Sequence, residues 1–74
     1  MNLGVVIPNY NGEELLRKNL PKVFEALASY KDGGVEIIVI DDSSADDSID
    51  TLRKLKTQLD SKYPSIKFQI INLV

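Results

Sequence analysis

Cysteine and histidine are both absent from the 74 residues of this chain. Without cysteine there is no disulfide and no thiolate metal site. Without histidine the commonest general base and the commonest zinc ligand are gone, and with them every Ser/His/Asp or Cys/His relay. An excess of one charge is missing too: nine Lys and Arg stand against 11 Asp and Glu, a net charge of -2. No block of basic residues stands out, which disfavours nucleic-acid wrapping and docking on anionic membranes. The longest unbroken apolar run, Ile37-Ile38-Val39-Ile40, is far short of the ~20 residues a membrane span needs. No charged stretch precedes an apolar one at the N-terminus, so a signal peptide is not expected. The glycines are Gly4, Gly12, Gly33 and Gly34; they cannot form Gly-x-Gly-x-x-Gly or a Gly-x-x-x-x-Gly-Lys loop, which disfavours dinucleotide binding.

What is present is ordinary globular composition, with 43% hydrophobic and 27% charged residues. The expectation is a soluble protein of a reducing compartment, the cytoplasm. Residues 1–74 read as one small segment, and a chain this short buries only about 60% of its unfolded surface.

The pattern is strand, helix, strand, helix, strand. The first apolar run, Leu3 to Ile7, is closed by Pro8 and the polar turn Asn9-Tyr10-Asn11-Gly12. Leu16, Leu20, Val23, Phe24 and Leu27 then share one face of a 3.6-residue period. Pro21 within that stretch either kinks the helix or starts a second part of it at a first helical position. An Asp32-Gly33-Gly34 turn leads to the second strand, Val35 to Ile40, and to Asp41-Asp42-Ser43-Ser44. Ser44 with Asp47 has the form of a capping box. A second helix carries Ile49, Leu52, Leu55 and Leu59 inward and stops before Pro64. The last strand runs from Ile66 to about Leu73.

Two βαβ units at this spacing predict an α/β fold: a Rossmann-like βαβαβ unit with a three-stranded parallel sheet. The first two strands have apolar residues on both faces, as strands buried on both sides do. Strand three alternates, Ile66, Phe68 and Ile70 against Lys67 and Gln69, which suits an edge. The predicted order is therefore 3-2-1. Right-handed crossovers then put both helices on one face and leave the other face bare. The bare face, with an end at Val74 just after an apolar strand, leads to the expectation that the chain is truncated: a missing C-terminal half, or a self-association partner, supplies the absent layer.

In open parallel sheets, ligands bind beyond the carboxyl ends of the strands. Two such ends carry polar loops, Pro8-Asn9-Tyr10-Asn11 and Asp41-Asp42-Ser43-Ser44, and in the predicted order they adjoin. A Tyr ring offers a stacking surface worth roughly 1–3 kcal/mol per base. A carboxylate accepts strongly from an N–H donor. Tyr10 plus one Asp therefore suits a pyrimidine. Asp41 and Asp42 point to opposite sides, so one faces the ligand and the other holds loop backbone or the N-terminal N–H groups of the next helix. The competing structural reading is that Asp-Asp-Ser-Ser is plain turn and capping chemistry, that Tyr10 packs its own loop, and that Asn9 and Asn11 form turns.

Val5-Val6-Ile7-Pro8-Asn9-Tyr10-Asn11, followed after one helix by Glu36-Ile37-Ile38-Val39-Ile40-Asp41-Asp42-Ser43-Ser44-Ala45-Asp46, resembles the start of family 2 glycosyltransferases. The resemblance covers nearly all the chain. It implies the N-terminal part of a GT-A fold and a nucleotide diphosphate sugar donor, with uridine as the common nucleoside. Pro8 then matches the position where the first loop lies along the nucleoside, and Tyr10 a residue that lines or stacks on the base. Asp42 matches the acid that accepts from the base N–H, Asp41 a mainly structural acid or one near the ribose, and Asn9 and Asn11 loop positions. Asp46 matches the acid that starts the next helix.

The resemblance also implies a divalent metal, Mg or Mn, in the parent enzyme. Its Asp-x-Asp ligands, the catalytic base and the acceptor site have no counterpart in this sequence, so no catalytic and no metal-binding residue is assigned. The chain alone is expected to be inactive, as part of a hexosyltransferase-like parent acting at the cytoplasmic face of a membrane. Two other readings compete. Ile-Val-Ile-Asp-Asp resembles the paired acids of phosphorelay receivers, but those follow the first strand and not the second. Alternatively the chain is a non-catalytic small α/β module, excised or engineered, that self-associates through its bare sheet face.

Overall fold

A computed structural model describes residues 1–42 and 45–73. The elements are β1 (Leu3–Asn9), α1 (Glu13–Leu27), β2 (Val35–Asp42), α2 (Ser48–Lys62) and β3 (Ile66–Leu73). The strands form one sheet in the order β1-β2-β3, the expected 3-2-1 counted from the other edge. Both pairings are parallel, with Val5 beside Ile37 and Ile37 beside Phe68.

Side chains alternate across the sheet. Val35, Ile37 and Val39 of β2, with Ile66 and Phe68 of β3, are buried on the face that both helices cover. From α1 come Leu16, Leu20 and Phe24; from α2 come Leu52, Leu55 and Leu59. Phe24 is fully buried, with its ring 5.1 Å from Phe68 edge-on and 5.9 Å from Tyr63, spacings that favour aromatic pairs. The opposite face carries Val6, Pro8, Ile38, Ile40 and Ile71. No described element covers it, and Val6, Ile71 and Leu73 are 59, 41 and 48% exposed.

The elements differ from the sequence expectation at four points, the last of them the start of α2. β1 runs two residues further, through Pro8 and Asn9. The Leu3 N–H donates to the Gly34 carbonyl, so positions 3, 5, 7 and 9 bond toward β2 and positions 4, 6 and 8 face the open edge. Pro8 therefore lacks its N–H where no ladder bond is needed, the usual tolerance for edge proline. β2 likewise extends through Asp41 and Asp42. α1 passes Pro21 as one helix and gives up only the bond to the Arg17 carbonyl; it does not restart there. It ends at Leu27, with the Ala28 N–H still donating to Phe24, ahead of the Asp32-Gly33-Gly34 turn.

α2 begins at Ser48 with Asp47 as N-cap residue, three positions past the cap that a box on Ser44 requires. Ser44 and Ser43 lie outside the described residues. The Asp47 side chain makes no cap bond; that service comes from Asp46, whose Oδ1 accepts the Ser48 N–H at 3.0 Å and the Ser48 hydroxyl. Among the described residues no helix is long and apolar enough to cross a membrane.

Candidate functional site

The carboxyl ends of β1 and β2 lie side by side, with Asn9 and Asp41 as their last paired residues. Both are polar and both are buried, at 8 and 1% exposure, because odd positions of β1 and β2 face the helices. They satisfy each other there: Asn9 Nδ2 donates to Asp41 Oδ1 at 2.8 Å. Gly12 makes room for this pair. A Cβ at Gly12 would sit 2.4 Å from Asn9 Oδ1, closer than any real contact, so a side chain there displaces the asparagine.

Asp42, one residue on, takes the opposite side and is exposed. Tyr10 follows Asn9 as Asp42 follows Asp41, and it is 68% exposed. Pro8 lies on the same open side of β1. The six residues singled out from the sequence thus divide. Asn9 and Asp41 point under the sheet and hold each other, whereas Pro8, Tyr10 and Asp42 are open to solvent. Asn11 adopts a left-handed conformation, φ 51, which asparagine tolerates better than most residues. Its Oδ1 accepts the Ala45 N–H at 2.6 Å and the Asp46 N–H at 3.4 Å, linking the two loops.

The first loop adjoins two shallow grooves. One, about 350 Å³, lies between the open edge of β1 and α1 and includes Pro8, Asn9, Leu15 and Val23. The other, about 400 Å³, lies between Asn11, Glu13 and Asp46. Neither is lined by Tyr10 or Asp42, whose surface is open.

Four residues that the sequence did not mark help shape this rim. The Glu13 N–H donates to Asp46 Oδ2 at 3.2 Å, and Glu13 Oε2 accepts from Thr51 Oγ1 at 3.1 Å and from Arg17. Ser48 and Thr51 are buried between the helix starts. Their signal is faint in sequence. Polar residues at helix starts are common, and these partners are 33 to 38 residues apart. The bond from Ser48 is the main reason the Asp46 carboxyl is held below its usual value of 3.8, against a smaller opposing effect of desolvation. Asp46 therefore stays ionised, and able to accept these bonds, down to a lower pH than an ordinary Asp.

A divalent ion does not fit the residues present. Among the described residues no three His, Cys, Asp or Glu side chains come close enough to hold a metal, and Asp41 is turned under the sheet while its neighbour faces out.

A family model described as Glycosyl transferase family 2 matches residues 4–70. No curated protein matches the chain, and no solved structure does.

Proposed function

The chain belongs to glycosyl transferase family 2, and from that premise we propose that residues 1–74 are the donor-nucleotide-binding segment of a transferase that moves a sugar from a UDP-sugar to an acceptor hydroxyl. The observation that supports this most is the division between the two neighbouring acids. Asp41 is buried against Asn9, which leaves Asp42 exposed at the strand tip next to the loop that carries Tyr10.

In this reading uracil stacks on the Tyr10 ring, and the Asp42 carboxylate accepts the imide N–H. Pro8 lines the nucleoside from the open edge of β1. Asn9 and Asp41 support the floor from beneath, and Asn11 ties the loop down. In the parent reaction a base takes the proton of the acceptor hydroxyl, the hydroxyl oxygen bonds to the sugar carbon, and the sugar–phosphate bond breaks with its electron pair going to the diphosphate. The base, the acceptor site and the ligands of any divalent metal come from protein outside these residues. The chain alone binds nucleotide weakly and transfers nothing.

Titration of UDP into the labelled chain tests this by NMR. Shifts are expected at Tyr10, Asn11 and Asp42. Loss of stacking in Tyr10→Ala and of a charged acceptor in Asp42→Ala should each weaken binding about 10-fold or more. Shifts that avoid these loops would refute the assignment.

One observation favours a second reading, a non-catalytic module that self-associates: the sheet face carrying Val6, Ile38, Ile40 and Ile71 has no cover among the described elements. Sedimentation decides between the two readings.

A further inference from the structure

The donor-binding role proposed above needs two loops from different strands to keep a fixed separation, and several bonds run between them. Asn11 Oδ1 reaches across to the Ala45 and Asp46 N–H groups. Asp46 reaches back, Oδ2 to the Glu13 N–H and Oδ1 to Ser48. Glu13 closes the ring through Thr51 on the first turn of α2. Each helix start is thus held by a side chain from the other segment. Every bond but the two to Ser48 spans more than 30 residues of sequence.

We propose that Asn11, Glu13 and Asp46 form a clasp that positions the Tyr10 loop against the tip of β2, so that the ligand-binding surface is set before the nucleotide arrives. These are positioning residues; none needs to touch the nucleotide. The proposal rests on the donor-binding reading for its purpose, but the clasp itself can be measured without a ligand.

The physical reason for a clasp is the mobility expected of short polar loops. A loop that must order on binding subtracts the cost from affinity, and one held beforehand does not. The clasp also accounts for asparagine at position 11. A residue with φ near 50 could be glycine, but glycine has no oxygen to offer Ala45.

That contrast supplies the test. Asn11→Gly keeps the left-handed backbone accessible and removes the oxygen; Asp46→Ala removes the second limb; Asp46→Asn keeps one acceptor. Amide exchange at Ala45 and Glu13 is followed by NMR without ligand, UDP affinity is titrated, and thermal melting is recorded for each. Exchange at Ala45 should quicken in Asn11→Gly, and at Glu13 in Asp46→Ala. UDP affinity should fall about fivefold for each bond lost in chains that still melt cooperatively, and Asp46→Asn should recover part of it. Unchanged exchange in both variants overturns the clasp. Faster exchange with unaltered UDP affinity overturns its positioning role. A wild-type chain that shows slow exchange at both amides but no response to UDP keeps the clasp and removes the donor-binding reading, and with it the role assigned here.

Discussion

Removing the carboxylate of Asp41 takes away the acceptor of a buried Asn9 N–H, while removing that of Asp42 takes away a group already in water. The two alanine variants should therefore separate stability from binding. Asp41→Ala is expected to cost about 1–3 kcal/mol in urea unfolding, the usual penalty when a buried polar partner is lost. Asp42→Ala should stay within about 0.5 kcal/mol of the parent while weakening UDP binding. Equal losses of stability from both would contradict the environments described. That the two acids divide between opposite sides was legible in the sequence, because adjacent strand residues must do so. Alternation alone does not say which one turns inward, because that depends on which parity of β2 meets the helices; the family resemblance is what marked Asp41 as the structural acid and Asp42 as the outward one. The bonds of Asp46 were hidden for a different reason. An acid at a helix start looks like ordinary capping, and its partners Glu13 and Asn11 come close only after β1 and β2 have paired.

At the scale of elements, the hydrophobic periods gave the helices and strands, since Leu16, Leu20 and Phe24 mark one face of α1 and Leu52, Leu55 and Leu59 one face of α2. The ends were less legible. Pro8 reads as a stop until the direction of each backbone N–H is known, and only pairing with β2 makes position 8 an edge position. Pro21 reads as a kink or a restart, yet α1 runs through it as one helix with its apolar face unbroken from Leu16 to Leu27. The helix continues because Leu20 and Phe24, packed on the sheet either side of the proline, are worth more than one backbone bond. Pro21→Ala should then restore the N–H to the Arg17 carbonyl and improve helix propensity. Part of that gain is offset because alanine leaves the unfolded chain freer. A net stabilisation of about 1–2 kcal/mol is expected, seen as a higher urea midpoint with the same slope; a lower midpoint would mean that the helix is shaped around the proline.

For the whole molecule, one face of the sheet determines how the chain must behave. Both helices lie on the other side because two right-handed crossovers in one direction allow nothing else, so the strand order and the bare face are a single consequence of the sequence pattern. Val6, Ile38, Ile40 and Ile71 form an apolar surface with Glu36 and Lys67 at one end and Gln69 beside Ile38 on the edge strand, these three joined by a Gln69–Glu36 hydrogen bond at 2.9 Å and a Lys67–Glu36 pair at 3.7 Å. Polar groups lie at one end and along one edge, with apolar ones beside them, a mixture also found at docking surfaces. If the face serves self-association, sedimentation should show a monomer–dimer equilibrium over the micromolar range. Val6→Lys with Ile71→Lys should abolish it at little cost in thermal stability, since neither side chain is part of the packed core. An unmodified chain that stays monomeric throughout that range excludes the self-associating module. The same double variant should then keep any UDP response, because the loops proposed to bind the donor lie at the strand tips and not on the face itself.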